Sequence, residues 1–362
     1  MRAAEAILRT GRLLVADELG LGKTITALTL LAAPEARPAV AVVPPHLAEQ
    51  WRREAAKFLP ALRTLVINGK TTPDAAADLY VVSYFRLDAW ARWLEGRVQT
   101  VIFDEAQELR RRGSQKYAGA RRIVTGTRHR VGLSATPIYN YGGEFWNVFA
   151  ILAPDALGSR EEFLAEWCGA DTRDNREPKL RDPHAFGAYL REHGLMVRRT
   201  KRDVGRELPA LSRVVETVAH DDAPLTAVAP RMRELARRIL DQDGTPFELM
   251  RAAQDLSSEA RQATGIAKAG AVADFVRLLV EETGERVVLF GWHRAVYDIW
   301  TERFEGIPLA WHTGTETPAH KRRELDRFIA GEARILIMSL RSGAGVDGLQ
   351  HVCARAVIGE LD

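Results

Sequence analysis

The sequence predicts an α/β fold with parallel sheets, arranged in two units. Short β-branched or apolar runs alternate with helix-like stretches over most of the chain. This alternation fades in the middle of the chain and then returns. Strand–helix alternation is typical of parallel sheets covered by helices. A chain of 362 residues is also long enough for two domains, each with its own core.

The first half of the chain carries most of the strand signal. Two amphipathic stretches, residues 24–33 and 47–58, are predicted helices between these strands. The predicted strands are residues 12–15, 39–43, 64–67, 80–82, 100–103 and 130–133.

The pattern returns in the second half. Strands are predicted at residues 286–290 and 334–338, and helices at 271–282 and 319–330. Between the halves, residues 154–199 are mixed and charged and are predicted to be helical, with a polar loop over 171–183. Residues 225–268 are rich in Ala, Arg, Glu and Leu, which predicts helices broken near 243–246.

These patterns divide the chain into three parts, with a junction near residues 220–224. Residues 1–150 form the predicted first lobe, 151–220 a helical insert and hinge segment, and 221–362 an incomplete second lobe.

Composition excludes several classes of protein. The chain is 46% hydrophobic and 27% charged, and no apolar run approaches the roughly 20 residues that span a bilayer. Its first residues lack the features of a signal peptide. Cys168 and Cys353 lie far apart, and the nine histidines are scattered, which argues against a disulfide and a structural zinc. We therefore expect a cytoplasmic or nucleoid-associated protein, without a membrane partner.

The stretch ADELGLGKT follows a predicted strand and opens a predicted helix. Backbone N–H groups at such a helix N-terminus converge on an anion. Lys23 is expected to neutralise the outer phosphates, and Thr24 offers a hydroxyl to Mg²⁺. Asp17 stands where the common phosphate-loop signature has a glycine. The predicted ATP-binding residues are Asp17, Glu18, Leu19, Gly20, Leu21, Gly22, Lys23 and Thr24.

A pair of acids follows the apolar run Val-Ile-Phe. Asp104 emerges at the carboxyl end of this predicted strand, where α/β sheets bind ligands, and is assigned to Mg²⁺. Glu105 is expected to orient and deprotonate the attacking water. Gln107 completes the motif and joins the predicted catalytic set. Alone, D-E-A-Q could also be a helix cap after a strand.

Two weaker features complete the pattern. Ser134 and Thr136, in the run S-A-T-P, can sense the γ-phosphate region, although S-A-T-P alone would be an ordinary turn. Residues 110–130 contain eight Lys and Arg and no acid, on a chain whose net charge is only +3. Such a run is either a solvated basic face or a surface for phosphate backbones, and charge alone does not choose.

In combination, these motifs resemble superfamily-two helicase-like ATPases, in particular the Swi/Snf branch. The phosphate loop of that branch reads D-E-x-G-L-G-K-T, so Asp17 matches the branch. MVRRTKRDV at residues 196–204 is similar to the segment before its interlobe hinge. The resemblance implies two RecA-like parallel-sheet lobes with helical inserts between them. It also implies a DNA-dependent ATPase that uses ATP and Mg²⁺ and moves on double-stranded DNA, where it would meet protein partners.

The resemblance also assigns further residues by motif. VVPP with Trp51 looks like motif Ia, LSATPIYN like motif III and SLRSGAGVDGLQ like motif V. The coupling residues are Ser134, Ala135, Thr136, Gly343 and Gly345. The residues expected to contact nucleic acid are Pro44, Trp51, Arg110, Arg111, Arg112, Arg341 and Ser342.

The sequence also departs from the branch. No adenine-recognition segment is found ahead of the phosphate loop. No motif VI with an arginine finger follows motif V, and Arg341 and Arg355 lie outside such a pattern. We therefore expect a chain that is clipped at both ends and hydrolyses ATP slowly. Two alternatives stay open: a strand-separating helicase or restriction-system motor, and a non-hydrolysing, ATP-responsive DNA-binding scaffold.

Overall fold

The structure, a computed structural model, describes residues 2–69, 76–137, 141–169, 178–205, 212–340, 342–343 and 346–360. The chain separates into two compact units, residues 1–210 and 211–362. The described part of the predicted insert, up to residue 205, belongs to the first unit.

Unit 1 is built on one parallel sheet. Its strands are β1 (Arg12–Val15), β2 (Ala39–Val43), β3 (Thr64–Val66), β4 (Leu79–Ser83), β5 (Thr100–Asp104), β6 (His129–Leu133) and β7 (Met196–Val197). Its helices are α1 (Arg2–Thr10), α2 (Lys23–Leu30), α3 (Ala48–Phe58), α4 (Leu87–Leu94), α5 (Gln115–Ile123), α6 (Gly142–Leu152), α7 (Arg160–Trp167) and α8 (Pro183–Glu192).

The sheet of unit 1 runs in the order β3-β4-β2-β5-β6-β1-β7, and each neighbouring pair of these strands is parallel. Its central strands β2, β4 and β5 are buried along their whole length. Helices cover both faces of the sheet. Alternate residues of β2 therefore pack in two separate apolar clusters, Val40 and Val42 in one and Ala41 and Val43 in the other. Strands buried on both faces read as continuous apolar runs, as the sequence does here.

Unit 2 repeats this architecture on a smaller sheet. A helical hairpin precedes the sheet, formed by α9 (Asp222–Leu240) and α10 (Pro246–Thr283). The remaining elements are β8 (Val287–Gly291), α11 (Arg294–Arg303), β9 (Leu309–His312), α12 (Pro318–Ala330), β10 (Ile335–Ser339) and β11 (Arg355–Ile358). The strand order is β11-β8-β10-β9, again with parallel pairs.

The structure confirms the predicted α/β class and its parallel sheets. The predicted strands all lie on observed ones, with bounds that differ by a residue at some ends. The predicted break near residues 243–246 is the turn between α9 and α10. Residues 170–177, most of the predicted polar loop, lie outside the described residues. Among the described helices, none combines the length and apolar character that crossing a bilayer requires.

Candidate nucleotide site

The candidate site lies at the carboxyl edge of the sheet of unit 1. Strands β5, β6 and β1 are consecutive neighbours, and their registers align Asp104 with Leu133 and Leu133 with Val15. Because the strands are parallel, the segments that follow them emerge at the same edge. The sheet thus brings the acid motif, the S-A-T-P motif and the phosphate loop together.

The phosphate loop joins β1 to α2. Gly20 has φ 80° and Gly22 has φ 74°, a left-handed conformation that favours glycine. Gly22 precedes the first helical residue, Lys23, so the N-terminus of α2 opens directly onto the loop. This is the strand–turn–helix context that anion binding by backbone N–H groups requires.

The Lys23 ammonium is folded back onto its own loop. Its Nζ donates to the backbone oxygens of Asp17 at 3.0 Å and Glu18 at 3.3 Å. Burial lowers the pKa of Lys23, while the charges of Glu105, Asp104 and Asp17 act in the opposite direction. The ammonium therefore shares one electrostatic site with the acid motif.

Asp104 is buried at the end of β5, with 6% of its surface exposed. Burial raises its pKa to about 6, and the neighbouring Glu105 adds to the rise. Two donors oppose it: Trp51 Nε1 at 2.8 Å from Oδ2, and the backbone N of Glu105 at 3.0 Å from Oδ1. The carboxyl group is thus poised to change its charge near neutral pH.

This contact corrects the prediction for Trp51. Trp51 was expected to contact nucleic acid, but only 1% of its surface is exposed. Its ring packs in the apolar cluster between α3 and the sheet, and its indole N–H donates a hydrogen bond to Asp104. The sequence could not show this, because the two residues are 53 positions apart and meet only through the pairing of β2 with β5.

A chain of hydrogen bonds joins the acid motif to the S-A-T-P motif. Gln107 Nε2 donates to Glu105 Oε2 at 2.5 Å, and Ser134 Oγ donates to Gln107 Oε1 at 2.6 Å. The backbone N of Thr136 in turn donates to Ser134 Oγ at 3.1 Å. Glu105 itself has φ 52°, which is unusual for a residue with a side chain. Gln107 therefore links the predicted base to a predicted coupling residue.

The first two residues of the predicted loop are engaged elsewhere. Asp17 is fully buried and accepts from the backbone N of Arg199 at 2.9 Å and from its guanidinium. Glu18 Oε2 accepts from the backbone N of Lys201 at 2.6 Å. Both stretches resemble family motifs in the sequence, but the sequence does not indicate that they contact each other.

The other predicted nucleic-acid residues of unit 1 differ in exposure. Pro44 is half-buried directly after β2, at the same edge as Asp104. Arg110 is half-buried and lies 3.7 Å from Glu144, whereas Arg111 and Arg112 are exposed. The two exposed arginines are therefore the ones free to meet a phosphate backbone.

The predicted residues of unit 2 follow β10. Ser342 Oγ donates to the backbone oxygen of His312 at 2.5 Å, which ties the turn after β10 to the end of β9. A Cβ on Gly343 would lie 3.2 Å from Met338 Sδ, so the turn also packs closely. Arg341 and Gly345 lie outside the described residues, as does Asn140 of the predicted motif III.

Among the described residues, no group of three or more His, Cys, Asp and Glu could hold a metal ion by itself. Half-buried Thr24, in the first turn of α2, and Asp104 are the predicted metal ligands. Mg²⁺ commonly takes only one or two protein ligands and completes its shell with phosphates and water. Hard oxygen donors beside a phosphate loop fit that mode of binding.

Comparison with known families places most of unit 1 in a described family. The model of the family described as the SNF2-related domain matches residues 8–223, more than half of the chain. This range contains the phosphate loop, the acid motif, the S-A-T-P motif and the segment around Arg199.

Curated relatives extend the similarity beyond this range. The chain is 24% identical to SWI/SNF-related matrix-associated actin-dependent regulator of chromatin subfamily A-like protein 1 of Xenopus tropicalis, over 90% of this chain and 35% of the relative. It is 28% identical to DNA annealing helicase and endonuclease ZRANB3 of Mus musculus, over 82% of this chain and 29% of the relative. The chain thus spans about a third of the length of these relatives.

A solved structure shares the fold. The Sulfolobus solfataricus SWI2/SNF2 ATPase core in complex with dsDNA matches with a TM-score of 0.51 and 17% identity, covering 99% of this chain and 79% of that one.

Proposed function

The chain belongs to the SNF2-related domain family, and on that premise we propose that it is the core of a DNA-dependent ATPase. More finely, we propose a Swi/Snf-type translocase or remodeller of double-stranded DNA. ATP is hydrolysed between its two lobes, and lobe rearrangement moves the protein along the duplex.

One observation supports the nucleotide half of this proposal above all. The phosphate-loop ammonium, Lys23, lies in the field of Asp104 and Glu105, and Glu105 is linked through Gln107 to Ser134. Phosphoryl transfer to water needs a positive charge beside the phosphates and a carboxylate that orients the attacking water. The hydrogen bonds to Ser134 connect this carboxylate to a neighbouring strand.

Each side chain then has a stated task. Lys23 neutralises the outer phosphates of ATP. Glu105 accepts a proton from the attacking water, and Gln107 holds the Glu105 carboxylate in place. Ser134 receives any movement of Gln107 through their shared hydrogen bond.

Thr24 and Asp104 are the residues that would hold Mg²⁺. The ion would supply positive charge against the phosphate oxygens. Asp104 suits this role because its carboxyl group is buried beside the loop and kept in place by Trp51.

The proposal that the chain binds DNA is supported by its family and by its exposed arginines. The core from Sulfolobus was solved in complex with dsDNA, and we infer the same class of partner here. Arg111 and Arg112 are exposed and come a few residues after the acid motif, which lies at the same edge of the sheet as Pro44. Such contacts to phosphates position a protein on DNA without reading its sequence.

Titration of the full chain with Mg–ATP tests the nucleotide site. We expect Lys23→Ala to abolish measurable binding, because it deletes the phosphate charge and opens no core cavity. Lys57→Ala, which removes an exposed lysine of α3, is the matched control and should bind as the parent does. Parent-like affinity in the Lys23 variant would contradict the proposal.

Glu105→Gln separates binding from chemistry. The amide keeps the size of the side chain but cannot take a proton from water, so Mg–ATP binding should persist while hydrolysis is lost. Glu108→Gln, a change of the same type in the same turn, should leave the rate near that of the parent. A Glu105 variant that hydrolyses ATP at the parent rate would remove Glu105 from the role of base.

DNA assays separate the proposed activity from its rivals. A translocase should displace a triplex-forming strand from duplex DNA in an ATP-dependent manner without separating the duplex. Strand separation would instead indicate an unwinding helicase. ATP binding without any turnover, with or without duplex DNA, would indicate the scaffold.

A further inference from the structure

We propose that Arg199 and Asp17 form a positioning pair that sets the phosphate loop for nucleotide. The pair would let the segment leading out of unit 1 control nucleotide affinity. This inference rests on the proposed ATP site. We call the four residues that make the contact the loop clamp: Asp17, Glu18, Arg199 and Lys201.

The clamp begins where β1 and β7 end. The parallel ladder runs from Leu14 N, which donates to Leu195 O, to Ala16 N, which donates to Val197 O at 2.7 Å. It continues past both strands, because Glu18 N donates to Arg199 O at 3.0 Å. The loop therefore enters its turn while still paired with the segment after β7.

Side chains lock this pairing. The Asp17 carboxylate is buried without any exposed surface and receives the backbone N and the guanidinium of Arg199, with Nε 3.1 Å from each oxygen. The guanidinium contact raises the pKa of Arg199. A buried carboxylate needs such a partner, since an unpaired charge is costly to bury.

The same two loop residues hold the phosphate lysine. The backbone oxygens of Asp17 and Glu18 accept from Lys23 Nζ, while their side chains are held by residues 199–201. A shift of residues 199–201 would therefore move the acceptors that set the position of the ammonium. Arg198 adds to this, because its guanidinium donates to Ala16 O at 3.3 Å and its charge lowers the pKa of Lys23.

The segment after the contact with Asp17, residues 200–203, forms a hydrogen-bonded turn. Asp203 Oδ2 accepts from Thr200 N at 2.7 Å, and Asp203 N donates to Thr200 Oγ1 at 3.2 Å. Unit 1 ends at residue 210, nine residues after Lys201. A shift of residues 200–203 would thus reach the phosphate loop through the hydrogen bonds of the clamp.

The test measures Mg–ATP affinity and amide hydrogen exchange on the full chain, without DNA. Arg199→Gln removes the charge and the forked contact but keeps the backbone bond. We expect at least a tenfold loss of Mg–ATP affinity, since small misplacements of a positioning group have large effects. We also expect faster exchange in the loop, residues 17–24, with and without nucleotide.

Two further variants complete the design. Arg202→Gln removes an exposed arginine from the same segment and should behave as the parent. Arg199→Lys keeps a positive charge beside Asp17 and should recover part of the affinity, which a merely structural role would not predict. If Arg199→Gln proves unstable, Mg–ATP affinity and amide hydrogen exchange are measured on the lysine variant instead.

Parent-like affinity and parent-like loop exchange in both Arg199 variants would overturn the proposal. Equal losses in Arg199→Gln and Arg202→Gln would also overturn it, because the effect would then be one of net charge. A failure of the proposed ATP site is distinguishable: the parent chain would not bind Mg–ATP, while exchange in the loop would still report whether Arg199 positions it.

Discussion

Among single residues, Asp104 combines burial with a charge that the proposed Mg²⁺ site needs. Its pKa is raised to about 6, so its proton leaves as the pH rises through that value. In the nucleotide-free chain the folded state holds this proton more tightly than the unfolded state, so this group stabilises the fold less as the pH rises from about 4 to about 6. Mg²⁺ needs the charged form. We therefore expect Mg–ATP affinity to fall as the pH is lowered through about 6, which calorimetric titration from pH 5 to pH 8 would measure.

Trp51 offers a way to move this midpoint. Its indole N–H stabilises the charged carboxylate, so Trp51→Phe should raise the pKa of Asp104 and shift the midpoint upward by about one pH unit. Trp90→Phe changes another buried tryptophan of unit 1 that makes no such bond, and it should leave the midpoint in place. Equal midpoints in the parent and the Trp51 variant would show that the indole does not tune this acid.

The sequence indicated which residues lie together at the candidate site better than it indicated their hydrogen-bond partners. Lys23, Asp104 and Glu105 were assigned from residue type and position after a strand, and the structure gathers them at one edge of the sheet. The partners of Asp17 and Asp104 were missed. Arg199 lies 182 positions from Asp17, and local pattern carries no information on such a pairing.

At the scale of single elements, close packing limits which residue a strand can accept, and Gly132 in β6 is an example. A Cβ there would lie 2.6 Å from Leu152 Cδ1 and 3.1 Å from Leu14 Cδ1, so buried leucine methyl groups occupy the space beside this glycine. We expect Gly132→Ala to lower the free energy of unfolding by about 1–3 kcal/mol, as overpacking does. Urea unfolding monitored by tryptophan fluorescence would measure this.

Gly113→Ala is the matched control for this prediction. No atom lies within 4 Å of the added Cβ at Gly113, which precedes α5. Its free energy of unfolding should stay close to that of the parent. Equal stability of both variants would mean that α6 can move away from β6 without cost.

The sequence predicted the bounds of strands that are buried along their length, but it did not reveal a strand of only two residues. The predicted strands 12–15 and 39–43 coincide with β1 and β2, because glycine or proline marks their ends: Gly11 precedes the first, and Pro38 and Pro44 flank the second. Strand β7 has only two residues, Met196 and Val197, and no periodicity can reveal it. Its place beside β1 comes from the ladder and from the Arg199 contact.

At the scale of the whole molecule, two units with separate cores are held in one chain whose net charge is only +3. Overall charge therefore cannot drive DNA binding, and local cationic surfaces must do so. We expect the affinity of the full chain for duplex DNA to fall steeply with salt and to depend little on base sequence. Fluorescence anisotropy with two unrelated duplexes, over a range of KCl concentrations, would measure both. Salt-independent affinity, or strong preference for one duplex, would contradict it.

The proposed DNA surface of unit 1 makes this expectation specific. Arg111 and Arg112 are exposed and come a few residues after the acid motif, whereas Arg110 is held beside Glu144. Each lost phosphate contact lowers the slope of log affinity against log salt by about 0.9, so Arg111→Gln/Arg112→Gln should reduce its magnitude by between about 1 and 2. Arg191→Gln, an exposed arginine of α8 outside this surface, should keep the parent slope. If the double variant keeps the parent slope while the affinity of both duplexes is unchanged, the basic run after the acid motif is a solvated face, and the DNA surface must be sought elsewhere.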